Sequence, residues 1–380
     1  MLETISAEKV VQSLASHTAP ALLDVRSEGE YAEAHVRGFA NGPILNNIER
    51  HQVGLSYRNE GREAAIKLGH SLFNPEKSAR VAAWLKHAGE REVWVACWRG
   101  GLRSKIACEL LAEAGANPVQ IVGGYKAIRA ELTRVFSAPP PLTVLSGLTG
   151  CGKTDLIEML PHCAVDLEGI AHHRGSAFGG HIGSAQPNQS QFENDLGLSL
   201  HQHSQAALLE DESAQIGNLS LSREFKERMN QSPTILLEAT LEDRVRRVFR
   251  AYIEEPLSKG VTIEAIQNSF AAALLRIRPR LGGMVYDEIS KSLTDAFLAL
   301  PERPSETRHA DWIGALLTQY YDRLYRYSLE RKPRSFVFKG NFQECLAWIN
   351  QNLPQASASP KPLKREAAPL SSQPANSGPF

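Results

Sequence analysis

The run Gly147-Leu-Thr-Gly150-Cys-Gly152-Lys153-Thr154 constrains this chain more than any other segment. It matches G-x-x-x-x-G-K-[ST] and lies between the strand-like LTVLS and the helix-like TDLIEML. In that setting glycines let backbone N–H groups turn inward around phosphate oxygens, and Lys153 adds a cation. Thr154 offers a hydroxyl to a metal such as Mg2+, and the helix N-terminus adds partial positive charge. The segment predicts an α/β domain with a phosphate or diphosphate site at Gly147, Gly150, Gly152, Lys153 and Thr154. A glycine-rich turn that binds nothing is the bland alternative, and the flanking elements argue against it. Cys151 reads as a small residue accommodated in the loop rather than a nucleophile.

Nucleotide-hydrolysing P-loop domains place an acid at the end of a neighbouring strand. Two runs qualify here: QAALLEDES, with Glu210, Asp211 and Glu212, and PTILLEA, with Glu238. Either could also be a strand end with solvated acids.

Upstream, from Ala21 to Phe136, short apolar runs alternate with helix-like segments, the rhythm of a parallel α/β domain. ALLDV, EVWVAC and PVQIV read as strands; SEGEYAEAH, RSKIACELLAEAG and YKAIRAELTRVF read as helices. A helix over 75–88 is expected to have Asn74 as N-cap, Pro75 at its first position and Gly89 past its end. Ser137-Ala-Pro-Pro-Pro141 reads as a stiff linker. The expected organisation is therefore an α/β domain over 1–136, a Pro-rich linker over 137–141, a P-loop domain over 142–353 that becomes helical from Leu241 to Leu329, and a tail over 354–380. The tail is rich in proline, alanine and serine without apolar periodicity, so it is expected to be disordered.

At 380 residues, with 42 basic and 42 acidic side chains, the chain has room for two or three domains and no net field to steer it to polyanions. Any RNA surface must be a local patch. The five cysteines show neither CxxC pairing nor zinc-ligand spacing, which argues against a disulfide framework or structural zinc and fits a reducing compartment. No stretch approaches the ~20 apolar residues of a membrane span, so a cytoplasmic protein is expected.

The second chemical signal is Cys97-Trp-Arg99-Gly-Gly-Leu-Arg103-Ser104, between a strand-like run and a helix. Loop amides, the helix N-terminus and the charges of Arg99 and Arg103 would stabilise an anionic sulfur there, making Cys97 a nucleophile or chalcogen carrier. Cys108, in the following helix, reads as buried and inert.

The stretch Asp24-Val-Arg26-Ser-Glu-Gly-Glu30-Tyr-Ala-Glu-Ala-His35-Val-Arg-Gly38, together with the cysteine loop, resembles a rhodanese domain. A rhodanese-like domain followed by a P-loop NTPase-like α/β domain with a helical C-terminal lobe is similar to the bacterial tRNA 2-selenouridine synthase family. The pieces CWRGG with Arg103-Ser104, Gly123-Gly-Tyr-Lys-Ala, His173-Arg-Gly-Ser-Ala-Phe-Gly179 and Glu210-Asp-Glu-Ser-Ala-Gln-Ile-Gly217 carry that likeness. Leu102 stands where methionine is frequent in the family. The resemblance implies replacement of the sulfur of wobble 2-thiouridine, in tRNAs for lysine, glutamate and glutamine, by selenium from selenophosphate. It also implies geranylation of that sulfur from geranyl diphosphate as the intermediate step, with selenophosphate synthetase as a partner. Both co-substrates are already activated, so ATP is not expected to be required.

An RNA substrate needs cations. Helical spacing over 242–253 puts Arg244, Arg246, Arg247 and Arg250 on one face, opposite Val245, Val248, Phe249 and Tyr252, and this row is a candidate tRNA contact. Arg276, Arg278 and the arginine–tyrosine run over 320–334 are further candidates; the alternative is solvated helix faces. Taken separately, the two motifs also allow a thiosulfate sulfurtransferase fused to a small-molecule kinase, or a non-catalytic adaptor.

Overall fold

Short runs that are mostly apolar, rather than alternating, belong to strands covered on both faces, and such strands form the centres of both sheets of this protein. The computed structural model describes residues 2–298, 304–331 and 334–354. The chain divides into two units: Met1–Val135 with Asn188–Gln202, and Phe136–Pro187 with the described residues from His203 onward.

In the first unit the strands are β1 (Glu3–Ile5), β2 (Ala21–Asp24), β3 (Phe39–Asn41), β4 (Val93–Ala96) and β5 (Pro118–Ile121). They form one parallel sheet in the order β1-β5-β4-β2-β3. Asp24 pairs in register with Ala96, so the ends of β2 and β4 lie side by side and Cys97 follows β4 at that edge. Val93 and Val95 project to one face of the sheet and Trp94 and Ala96 to the other, each into its own apolar cluster.

Two of its helices, Asn47–Glu60 and Arg62–Phe73, joined at Gly61, have no counterpart in the strand-and-helix reading of the sequence. They also undo the expected cap at Asn74. The second of them runs straight into a 3-10 turn at Asn74–Glu76, so Asn74 is in helical backbone at the end of that helix and is not an N-cap; the next helix starts at Lys77. Gly89, with φ of 59°, does end that helix, in the left-handed region that favours glycine.

The helix Gln189–Gln202 lies within the sequence expected for the P-loop domain but packs in the first unit. Gly197 lets it approach closely: a Cβ there would sit 2.5 Å from the Leu132 carbonyl oxygen. Arg37 pairs with Asp195 at 2.9 Å, Arg129 with Glu193, and Asn194 donates to the Tyr125 hydroxyl at 3.0 Å.

The second unit contains β6 (Leu142–Ser146), β7 (Ala164–Val165), β8 (Ala207–Glu210), the antiparallel pair β9 (Gln215–Ile216) and β10 (Leu219–Ser220), β11 (Thr234–Leu237) and β12 (Phe336–Gly340). The main sheet is parallel, in the order β12-β11-β6-β8-β7. Strand order reverses at β6, with β8 and β7 on one side and β11 and β12 on the other. The loop after such a strand opens on the crevice where parallel sheets bind ligands. Helices between Leu241 and Arg331 form the expected lobe around Phe249, Phe270, Phe297 and Trp312, with Phe270 edge-on to Trp312 at 4.9 Å. Each such buried ring contributes roughly 1.5–3 kcal/mol. The expectation for the tail falls, after Pro354, outside the described residues.

Candidate functional site

Cys97 leaves β4 into a loop that closes on itself through glycine. Gly100 (φ 61°) and Gly124 (φ 57°) face each other: a Cβ on Gly100 would come 2.7 Å from the Gly123 nitrogen, and one on Gly124 would overlap the Cys97 carbonyl. The amides of Tyr125 and Lys126 donate to the carbonyls of Cys97 and Trp98 at 2.9 and 3.0 Å. This contact explains the spacing between the CWRGG run and Gly123-Gly-Tyr-Lys-Ala. The Cys97 sulfur sits 3.2 Å from the Ser104 hydroxyl, which in turn donates to the Gly101 carbonyl. Sulfur and hydroxyl are buried, while Trp98, Arg99 and Gly101 are exposed.

The two expected arginines are placed differently. Arg99 is on the exposed loop. Arg103 is tied to Glu30, with Nη1 2.7 Å from Oε2, and Arg50 holds the same carboxylate at 3.0 Å. Burial works against the charge of Arg103, but Glu30, then Cys97 and Asp24, outweigh it and raise its pKa. Glu30 is itself fixed by a capping box with Ser27. Asp24 and Arg26 form a buried pair at 2.7 Å, and the Arg26 guanidinium lies 3.8 Å from the Tyr125 ring centre. Asp24, Arg26 and Glu30 of the Asp24–Gly38 stretch thus lie against the cysteine loop, while Arg37 faces Asp195. Cys108 is fully buried, and burial pushes its thiol up to about 12, as an inert core residue. Beside Arg103 and Leu102 opens an apolar cavity of about 290 Å3 walled by Ile44, Ile66, Phe73 and Ile106.

In the second unit the P-loop follows β6. Gly150 (φ 81°) and Gly152 (φ 99°) adopt backbone closed to other residues, and a Cβ on Gly147 would sit 2.5 Å from the Leu237 carbonyl. The helix that follows spans only Lys153–Glu158, so inward amides matter more here than an extended helix dipole. Lys153 Nζ donates to the Gly147 carbonyl at 3.0 Å. Burial disfavours its charge, but Cys151 and the carboxylates of Glu212, Glu168 and Glu210 hold its pKa above the usual lysine value.

The Thr154 hydroxyl lies 3.0 Å from Glu168 and 2.9 Å from Glu210. One hydroxyl carries one proton, so two carboxylate contacts require a proton on one of the acids. Burial first, and mutual repulsion second, raise the pKa of Glu210 and bring Glu212 up to about 8, where it donates to Glu168. Glu168, which follows β7, was not among the sequence candidates; its signal is the Asp166-Leu-Glu168 acid pair just after an apolar run. Glu238 does not join: it is half exposed and paired with Lys339 at 2.9 Å. Among the described residues no group of three or more His, Cys, Asp or Glu is arranged to hold a metal by itself. Mg2+ asks for less, a hydroxyl and one or two carboxylates beside ligand phosphates, and Thr154 with Glu210 and Glu168 fits that donor set. A cavity of about 1290 Å3 opens on the loop and is also lined by Arg174, Tyr252 and Tyr321.

The arginine row does not form one solvent face. Arg244 is buried, donates to the Thr149 carbonyl at 2.8 Å and grips both oxygens of Asp322 at 3.0 and 2.6 Å, which removes it from any RNA surface. Arg247 lies against Gly152, and Arg250 pairs with Asp155 at 2.6 Å. Arg246 points to solvent beside Glu242 and Asp243. Arg276 donates to the Ala177 carbonyl and Arg278 stacks over Tyr286 at 5.0 Å. In the run 320–334, Tyr320 is buried and Arg323 and Arg326 are exposed. No described helix is long and apolar enough to cross a membrane.

A family model described as the tRNA 2-selenouridine synthase AAA domain matches residues 140–356, and the rhodanese-like domain model matches residues 6–131. The chain belongs to the tRNA 2-selenouridine synthase family. Relatives named tRNA 2-selenouridine synthase match it over most of its length. The protein of Shewanella loihica is 38% identical over 346 residues, covering 87% of this chain and 92% of the relative. That of Cupriavidus necator is 39% identical over 351 residues, covering 88% and 95%. Membership in this family accounts for both the cysteine loop and the P-loop on one chain.

Proposed function

We propose that this protein is a tRNA 2-selenouridine synthase, a cytoplasmic transferase that exchanges the sulfur of wobble 2-thiouridine in tRNAs for lysine, glutamate and glutamine for selenium from selenophosphate. The observation that carries the reading is the pairing, on one chain and across nearly its whole length, of this family's relatives with a buried thiol at an open, arginine-bearing loop. Five free cysteines and no disulfide accord with a reducing compartment.

Geranylation is the chemical bridge. The thiocarbonyl sulfur attacks C1 of geranyl diphosphate, the C–O bond breaks and diphosphate leaves. The selenium of selenophosphate then attacks C2, the C2–S bond breaks and the sulfur leaves as geranyl thiol, taking up a proton, a departure that a bare sulfide would make poorly. Water then cleaves the Se–P bond, so that phosphate leaves and selenium stays on C2. The P-loop amides and Lys153 stabilise the charge that grows on the departing diphosphate, electrostatic catalysis aimed at developing charge. Thr154, Glu210 and Glu168 would hold Mg2+, which supplies further neutralisation of that charge. Neither step needs nucleotide hydrolysis, so ATP is not required. Cys97 serves the selenium step with Arg99, the less neutralised of the two loop arginines, meeting the selenophosphate anion. The apolar cavity beside Arg103 supports a substrate that carries a hydrocarbon chain to this loop. Selenophosphate synthetase is the partner that supplies the selenium donor.

The test is nucleoside mass spectrometry on tRNA treated with wild type, Cys97→Ala and Lys153→Ala. Lys153→Ala is expected to block geranylation yet retain selenation of chemically geranylated tRNA, while Cys97→Ala accumulates geranylated tRNA without selenium. A strict ATP requirement, or equal loss of both steps in Lys153→Ala, returns the second unit to the kinase reading.

A further inference from the structure

The helix Leu241–Phe249 and the turn after it run beside the P-loop in matched steps of three. Arg244 meets the loop at Thr149, Arg247 at Gly152 and Arg250 at Asp155. Residues three apart in a helix share a face, so one arginine face is laid along the phosphate loop.

The three differ in how far their charge is already used. Arg244 has both oxygens of Asp322 and a carbonyl. Arg250 has Asp155 at 2.6 Å and Glu255 at 3.8 Å. Arg247, the middle one and the nearest in sequence register to Lys153, has only a share of Asp155, at 3.5 Å from its Nε. Its Nη1 is buried and has no hydrogen-bond partner among the described residues. The guanidinium is held in place: a Cβ on Gly152 would lie 3.0 Å from its Nε and 3.3 Å from its Cζ, and Phe342 packs at 5.8 Å. It also lines the P-loop cavity. A buried cationic N–H without an acceptor is unfavourable and is normally matched by one. Lys153 shares its charge with the neighbouring acids Glu212, Glu168 and Glu210, so a second cation would add to what it offers a phosphate chain.

We infer that Arg247 is the second cation of the phosphate site, its guanidinium turning from Asp155 so that the unpartnered Nη1 donates to an oxygen of the phosphate chain cradled by the P-loop. The inference rests on the reading of that loop as a diphosphate site, and it assigns Arg247 to ligand binding rather than to tRNA. A charge-assisted guanidinium contact is among the stronger hydrogen bonds, and the planar fork matches phosphate oxygens.

The experiment is calorimetric titration of the full chain, without tRNA, with inorganic pyrophosphate and separately with ATP, both with Mg2+. Arg247→Ala is expected to weaken pyrophosphate binding by about tenfold or more, and Arg247→Lys to restore part of it. Arg223→Ala, an exposed arginine paired with Glu227, should bind as wild type. The thermal midpoint of ligand-free Arg247→Ala should match wild type while its pyrophosphate-induced rise shrinks, which separates binding from folding. Pyrophosphate affinity unchanged in Arg247→Ala overturns the inference. If wild type takes ATP but not pyrophosphate, and Arg247→Ala weakens ATP, the role of Arg247 stands and the geranyl diphosphate reading falls. If wild type takes neither, both fall.

Discussion

Gly124 is not a chemical residue, yet the thiol of Cys97 depends on it. Its left-handed backbone and the overlap that any side chain would make with the Cys97 carbonyl leave only glycine at that position. Gly54, in the middle of the helix Asn47–Glu60, has open space where a Cβ would go. Gly124→Ala is therefore expected to lower the thermal stability of the first unit and abolish selenium incorporation with Cys97 intact. Gly54→Ala should stabilise by up to about 1 kcal/mol, because alanine loses less entropy in a helix. Chemical denaturation and nucleoside analysis of the two variants would check this; equal effects would mean that the loop contact is not the constraint. Much of this loop was legible in the residues, since a cysteine between strand and helix with flanking glycines is a local pattern. The neutralisation of Arg103 by Glu30, far away in the chain, was not.

Among the elements, the helical lobe shows what burial does to a titratable group. His309 is fully buried among Phe249, Phe297 and Trp312, and its Nδ1 accepts from the Trp312 ring N–H at 3.0 Å. Burial lowers its pKa to about 4. The unfolded chain takes up a proton near pH 6.5 that the folded chain refuses until about pH 4, so its contribution is complete above pH 6.5 and is lost as pH falls through that window. The full loss is on the order of 3 kcal/mol. Urea unfolding at pH 7 and pH 4.5 should show a decline that His309→Gln flattens; an unchanged slope in that variant would assign the decline to other groups. At this scale the helix Leu241–Phe249 is the instructive case. Its amphipathic spacing was readable, but which neighbour its arginine face meets was not, because that depends on where the P-loop and Asp322 arrive.

For the whole molecule, the first unit needs a segment that sequence order assigns elsewhere. The helix Gln189–Gln202 covers Leu132 and Tyr125 and supplies partners for Arg37 and Arg129. A fragment ending at residue 136 should therefore melt about 5–10 °C below one in which residues 188–202 are fused back through a flexible linker, as scanning calorimetry would show. Equal melting would mean that the helix is dispensable to this unit.

The sequence alone determined the two parallel α/β sheets, the phosphate loop and the cysteine loop. Each of these is written in residues that are neighbours in the chain: continuous apolar runs, glycines that license a turn, a lysine and hydroxyl that follow them. The tertiary structure decided which distant groups converge. It brought Glu168 to Thr154 and left Glu238 beside Lys339, buried Arg244 against Asp322, and carried Gln189–Gln202 into the first unit. Charges and helix faces have many acceptable partners at the level of composition. Only the packing of strands and helices selects one, because burying a charge is tolerable only where its partner is already in place.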